Sequence, residues 1–211
     1  GLSSKGMIDV LYGFADQEAL SSRSQSIRVR SHPVSRQRIR SLEEKALSSP
    51  FFKKEESEDI LQRYKMIRAK LRGFLNKPDQ IIKLFKDKSE EDNLYALSIA
   101  LYRKALIEEA IETIDILIMK YPKNPWFHEL KGQIYYESGK TDLSIEPYEK
   151  ALKYSHKEPL IYTALATALL AINKKDETQR ALILLKKAID LDPKNPQIYF
   201  QMAIAESRLG D

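Results

Sequence analysis

The stretch PWFHELKGQIYYESGKTDLSIEPYEKALKYSHKE, residues 125–158, has a sibling on either side. Set it below residues 91–124 and above residues 159–195. Ala110 then falls over Ser144 and Ala181, Leu117 over Ala151 and Ala188, and Pro122 over His156 and Pro193. Asn124-Pro125 and Asn195-Pro196 each close one unit and open the next. The third unit is longer, with its excess in residues 173–178, and a partial fourth, 196–211, contains one helix. A period of about 34 residues is the mark of a stacked repeat and is read before any single element.

The residue types fit paired helices. Two helices of about a dozen residues are marginal alone and need neighbours to cover their apolar faces. Small residues (Gly132, Ala166 and Ala203 in the first helices, Ala110, Ala151 and Ala188 in the second) let helix axes approach. Tyr135, Ile145, Tyr148, Leu165, Leu169, Leu182 and Leu185 fill the space between them. Stacked units then share one continuous core. The set Gly132, Tyr135, Gly139, Tyr148 and Ala151 resembles the tetratricopeptide repeat. The departures are His128 for Trp, Lys131 for Leu, His156 for Pro, and Ala105 and Asn173 at the turn Gly. The expected fold is all-α, a tetratricopeptide-repeat helical solenoid preceded by irregularly packed helices.

The 211 residues are 43% hydrophobic and 31% charged, so the chain can bury a core. Nothing approaches the run of about 18 apolar residues that a membrane span needs. With no Cys, disulfides, thiol nucleophiles and Cys-ligated zinc are excluded. Residues 1–90 carry 19 Lys+Arg against 12 Asp+Glu, and residues 91–211 carry 16 against 18, so the basic excess lies before the repeats. Six Arg fall between Arg23 and Arg40 without one acid, but no aromatic residue interleaves them for base stacking. Nucleic-acid binding is therefore the weaker reading of that segment, and a solvated basic stretch the stronger.

Before the repeats, residues 5–20 read as a helix with Met7, Val10, Leu11 and Phe14 on one face. Residues 21–31 read as a loop, Ser35 as an N-cap, and Ile39, Leu42 and Ala46 as the face of a second helix. Phe51-Phe52 anchors a linker. Residues 57–75 form a third helix with Ile60, Tyr64, Ile67, Leu71 and Phe74 aligned, and residues 79–85 a short fourth. Three segments are expected: 1–56, partly extended; 57–90, connecting helices; and 91–211, the repeats.

A second resemblance rests on Gly6-Met7-Ile8-Asp9, on 15–20 (ADQEAL), on Ser31-His32-Pro33-Val34-Ser35-Arg36 and on Arg38-Ile39. The stretches 69–75 (AKLRGFL) and 129–133 (ELKGQ) add to it. Together they resemble the C-terminal part of bacterial periplasmic zinc metallopeptidases related to the CAAX prenyl proteases. That resemblance implies zinc in the full-length protein, a periplasmic location and a role in outer-membrane protein quality control. Its chemistry needs two His one helical turn apart with Glu between them. His128-Glu129 begins that pattern, but Gly132 stands where the second His belongs, so no catalytic residue is expected in this chain. The resemblance places the metal motif before Gly1. His32, on a loop near the metal cleft in that family, is a metal-approaching candidate in the full-length protein; its competing role is to order the loop.

By analogy with the repeat family, first helices line a concave face. The candidate peptide-binding residues are Tyr95, Ile99, Tyr102, Trp126, Glu129, Gln133, Tyr136, Thr163, Thr167 and Phe200, flanked by Arg103, Glu137, Leu160, Leu170, Gln197 and Ile204. Such a mixed set suits an extended or helical peptide, with Trp126, the only Trp, as either anchor or packing residue. The Lys/Asn clamp that grips C-terminal carboxylates is missing, because its positions hold Tyr95, Ile99, Leu130, Leu160 and Ala164. Two readings lead. One is an interaction module of a zinc metalloendopeptidase that recruits envelope proteins or outer-membrane assembly machinery. The other is a free-standing cytosolic scaffold.

Overall fold

The computed structural model describes residues 3–21 and 36–210. Among them are eleven α-helices and no strand. The chain divides into two compact units, 1–63 and 64–211, so residues 64–90 belong with the repeats.

The first unit contains α1 (Lys5–Ser21), α2 (Arg36–Leu47) and the start of α3 (Glu58–Leu75). α1 and α2 pack through Ile8 and Ala15 on one helix and Ile39 and Ala46 on the other, all buried. Each pair is spaced by two helical turns, which makes a narrow seam. The Tyr12 hydroxyl donates to Glu43 Oε2 at 2.6 Å across it. This corrects the expected face of α1: Met7, Val10 and Phe14 are more than half exposed. The linker is tied back by Ser3, whose Oγ donates to the Phe52 carbonyl at 2.8 Å. Ser35, His32 and the predicted loop after Ser21 lie outside the described residues.

The second unit takes the rest of α3, then α4 (Pro78–Phe85), α5 (Glu91–Arg103), α6 (Ile107–Lys120), α7 (Pro125–Glu137), α8 (Thr141–Tyr154), α9 (Pro159–Ile172), α10 (Lys175–Leu191) and α11 (Pro196–Leu209). Consecutive helices pack in pairs, α5 with α6, α7 with α8 and α9 with α10. The Asn-Pro junctions explain where two first helices begin. Asn124 Oδ1 accepts from the Trp126 amide at 3.0 Å, and Asn195 Oδ1 from the Gln197 amide at 3.1 Å. In each, Pro occupies the first helical position, where its missing N–H costs nothing. The longer third unit spends its extra residues on α10, which has 17 residues where α6 and α8 have 14.

The aligned positions carry the packing. Ala110, Ser144, Ala181, Leu117, Ala151 and Ala188 are all buried. At the eighth position of the first helices, a Cβ added to Gly132 would lie 2.7 Å from the Tyr148 ring. Ser98 holds the equivalent place in α5 and uses its hydroxyl to donate to the Ala110 carbonyl of α6 at 2.9 Å. Ala203 departs from expectation and is exposed.

α3 also departs. Tyr64, Ile67 and Leu71 are exposed, and the buried side is Ala69 and Gly73. A Cβ at Gly73 would come within 2.7 Å of Ile99 Cβ, so the bare backbone of α3 lies directly on α5. Close approach through the two smallest residues wins over the larger stripe. Arg103 then caps the end of α3, donating to the carbonyls of Gly73 at 2.8 Å and Asn76 at 2.7 Å. A cation at a helix C-terminus meets both orphan carbonyls and the negative end of the helix dipole.

The turn of the first pair puts Ala105 at φ 60°, where the second has Gly139 and the third Asn173 at φ 58°. A left-handed conformation strains a residue with a Cβ by about 1–2 kcal/mol. Ala105→Gly should therefore raise stability by up to about 1 kcal/mol, the larger unfolded-state entropy of Gly offsetting part of the relief. Gly132→Ala should lower it by about 1–3 kcal/mol through overpacking against Tyr148. Urea unfolding of the two variants beside wild type checks both signs.

Candidate functional site

A hollow of about 420 Å³ runs along the first helices of the pairs. Its walls are Lys70 and Phe74 from α3, Glu129, Gln133, Tyr136 and Glu137 from α7, Leu160, Thr163, Ala164 and Thr167 from α9, and Gln197 from α11, with Tyr148 behind. Helical periodicity puts Glu129, Gln133, Tyr136 and Glu137 on one side of α7 and Leu160, Thr163, Ala164 and Thr167 on one side of α9. The hollow thus gathers five of the candidate residues: Glu129, Gln133, Tyr136, Thr163 and Thr167.

Its polar groups are held by local bonds. Glu129, nearly buried, is paired with Lys70 Nζ at 3.2 Å. Gln133 Nε2 donates to Glu137 Oε1 at 2.8 Å, and the Tyr102 hydroxyl donates to Glu137 Oε2. The Thr163 and Thr167 hydroxyls each donate to a carbonyl one turn back, at 2.8 Å, which leaves their oxygens as acceptors toward the hollow. Two carboxylates against one ammonium give the walls an acceptor-rich, mildly acidic character.

Beside the hollow lies a second cavity of about 250 Å³, lined by Met66, Ile67, Lys70, Tyr95, Asn124, Trp126 and Phe127. Lys70 belongs to both and stands 5.4 Å from the centroid of the Trp126 ring. Trp126 is half-buried here rather than set in the main hollow.

The other candidates sit elsewhere. Tyr95 and Ile99 are core residues, 2% and 0% exposed, which corrects their expected place on an open face. The physical cause is α3, whose Ala69–Gly73 side covers that part of α5. Phe200 is exposed on α11 but does not line the hollow. Of the flanking set, Leu170 is buried, and Arg103 is committed to the end of α3. Lys70, Phe74, Tyr148 and Ala164 line the hollow without belonging to the expected set. The i, i+4 spacing of Lys70 and Phe74 on α3 was the available signal. His128 is buried, its ring bonded through Nε2 to the Pro122 carbonyl at 2.8 Å and packed on Tyr154, so it orders the turn before α7. Among the described residues no cluster of His, Cys, Asp or Glu is placed to hold a metal ion. His32 lies outside them, as do Arg23, Arg28 and Arg30. No described helix is long and apolar enough to cross a membrane.

A family model described as TPR repeat matches residues 132–173, and one described as Tetratricopeptide repeat matches residues 184–211. The repeats form a tetratricopeptide-repeat solenoid. Solved structures of MamA share this fold. The MSR-1 form has 17% identity and a TM-score of 0.57, covering 72% of this chain and 88% of that one. A double mutant of the RS-1 form has 19% identity and a TM-score of 0.58, covering 74% and 87%. At these identities the likeness speaks to fold alone. No curated protein sequence gives a match. Tetratricopeptide repeats of this kind make the chain a protein-interaction module.

The tyrosines around the solenoid's hollow are held in their protonated form. Burial pushes the Tyr95 and Tyr148 hydroxyls far above the usual range, and the nearby Glu129 charge adds to it. For Tyr102, burial acts first and the hydrogen bond to Glu137 second. The folded chain therefore keeps protons that unfolded tyrosines release near pH 10. Stability should be fully present below about pH 10 and fall as pH rises beyond it. Denaturant midpoints measured from pH 8 to 11 check the sign. The Tyr95 hydroxyl is buried with no hydrogen-bond partner among the described residues. Leaving such a group unsatisfied costs about 1–3 kcal/mol, so Tyr95→Phe should match or exceed wild-type stability; a lowered melting temperature would contradict the assignment.

Proposed function

We propose that this solenoid is the partner-binding module of a zinc metalloendopeptidase of the cell envelope. It holds an extended or helical segment of another protein along the hollow between α3, α7, α9 and α11. The observation that carries the reading is that hollow, where apolar walls (Phe74, Tyr136, Leu160) alternate with acceptors (Glu129, Thr163, Thr167). Such a surface takes apolar side chains and main-chain N–H groups together. The protease context is supported by the resemblance at residues 6–9, 15–20 and 31–39. In this reading zinc and peptide cleavage belong to a part of the full-length protein preceding Gly1. The location is the periplasm, and the partners are envelope proteins or outer-membrane assembly machinery. This chain contributes recruitment and no bond-breaking step.

A photo-crosslinking residue at Gln133 or Thr167 should capture envelope proteins, while the same residue at Ile183, exposed on α10, should not. Equal capture from all three positions would remove the hollow as the site. Tyr136→Ala should weaken the captured partner by about 2 kcal/mol, the scale of an aromatic anchor, with helix content unchanged by circular dichroism. An HExxH helix encoded before Gly1 is required by the protease context, and a native sequence without one excludes it.

A further inference from the structure

We propose that the outward face of α3, from Tyr64 to Leu75, docks an acidic amphipathic helix of another protein. The inference stands apart from the reading of the hollow, which uses a different edge of α3.

Tyr64, Ile67, Leu71 and Leu75 are all more than half exposed. Their spacing, i, i+3, i+7 and i+11, sets them in one row along about 16 Å of helix. A partner helix of three turns or more covers that length. The row cannot be buried by rolling α3 about its axis. On the opposite side Ala69 and Gly73 are buried, and a Cβ at Gly73 would meet Ile99 Cβ of α5 at 2.7 Å. The packing behind α3 thus holds four large apolar side chains toward solvent. An aligned apolar row edged by polar residues marks an interaction surface.

Charge selects the occupant. Between Asp59 and Asp79 the chain has no acid, but it has Arg63, Lys65, Arg68, Lys70, Arg72 and Lys77. Arg63 is answered by Asp59 at 3.0 Å and Lys70 by Glu129 at 3.2 Å. Lys65, Arg68 and Arg72 are exposed and form no ion pair among the described residues. At i, i+3 and i+7 these three follow one edge of the apolar row, and the Arg68 guanidinium stands 5.6 Å from the Tyr64 ring centroid. Acids along one edge of a partner helix meet them as flanking charges meet across a pair of packed helices. Two of the three are Arg, which takes a carboxylate through two parallel hydrogen bonds. A second copy laid on by the same face would bring three more cations to the seam, a like-charge contact. A lipid surface draws on cations at both edges of an apolar row, and here the cations of the other edge, Arg63 and Lys70, are already paired.

The probe is a fluorescein-labelled amphipathic peptide of about five helical turns, with Leu along one face and Glu beside it. Its counterpart carries Lys for Glu. Fluorescence anisotropy with the 211-residue chain should show the Leu/Glu peptide bound at low salt and the Leu/Lys peptide at least about ten-fold weaker. The difference should shrink as salt rises. The triple variant Lys65→Glu, Arg68→Glu, Arg72→Glu should reverse the preference, a gain for the Leu/Lys peptide that loss of folding would not give. Ile67→Ser with Leu71→Ser should weaken the Leu/Glu peptide by about ten-fold or more, with helix content unchanged. No binding of the Leu/Glu peptide at low salt overturns the proposal. So does equal binding of the two peptides, or a triple variant that keeps the wild-type preference. A wild-type dimer in sedimentation that the double Ser variant dissolves makes a second copy the occupant and overturns it. Phosphatidylglycerol vesicles that displace the Leu/Glu peptide make the face a lipid surface and overturn it as well.

Discussion

The constraint on which the rest depends is the distance at which helix backbones can lie against one another. At Gly132 and Gly73 there is no room for a single extra carbon: each would meet a neighbouring side chain at 2.7 Å. Tyr148 covers α7 because Gly132 is bare, and Ile99 is covered by α3 because Gly73 is bare. Ser98, Ala166, Ala110, Ala151 and Ala188 do the same elsewhere at lower stringency. Interiors are close-packed, so these approaches fix the helix positions to within a fraction of an ångström. The hollow inherits its shape from them, since its walls are the outward sides of the helices they position.

Much of this was legible in the repeat phase. Once Gly132, Tyr148 and Ala151 set the register, counting along α7 and α9 placed Glu129, Gln133, Tyr136, Thr163 and Thr167 on the same side. The count failed for Tyr95 and Ile99, because it assumed that the first pair has an open face. What covers them is α3, a helix outside the repeat period. Its buried side consists of Ala69 and Gly73, residues that carry almost no hydropathy signal, while its apolar stripe at Tyr64, Ile67 and Leu71 drew the eye to the wrong side. Small residues lie below the threshold of pattern reading for the same reason that they pack well. The unsatisfied hydroxyl of Tyr95 has no signature in sequence at all, because it depends on which atoms fail to arrive. The metallopeptidase reading rests on sequence likeness, and its His32 lies outside the described residues.

The solenoid's polar side chains are largely used inside it. Glu129 is answered by Lys70, Glu137 by Gln133 and Tyr102, and the two Thr by their own helix. These bonds hold the walls in one arrangement before any partner arrives, which lowers the ordering cost of binding. The oxygen lone pairs left over are the part available to a ligand.

The packing is mostly between helices adjacent in sequence. Few loops must close over long stretches of chain before favourable contacts form, and low contact order of this kind goes with fast folding. Nucleation can begin at any pair and spread in either direction. The α9–α10 pair, joined by a two-residue turn through the left-handed Asn173 and rich in buried Leu and Ala, is a natural starting point. The strained turn at Ala105 makes α5–α6 a later one. A ribosome releases α3 and α7 before α9 and α11, so the walls of the hollow come together only once α11 has emerged.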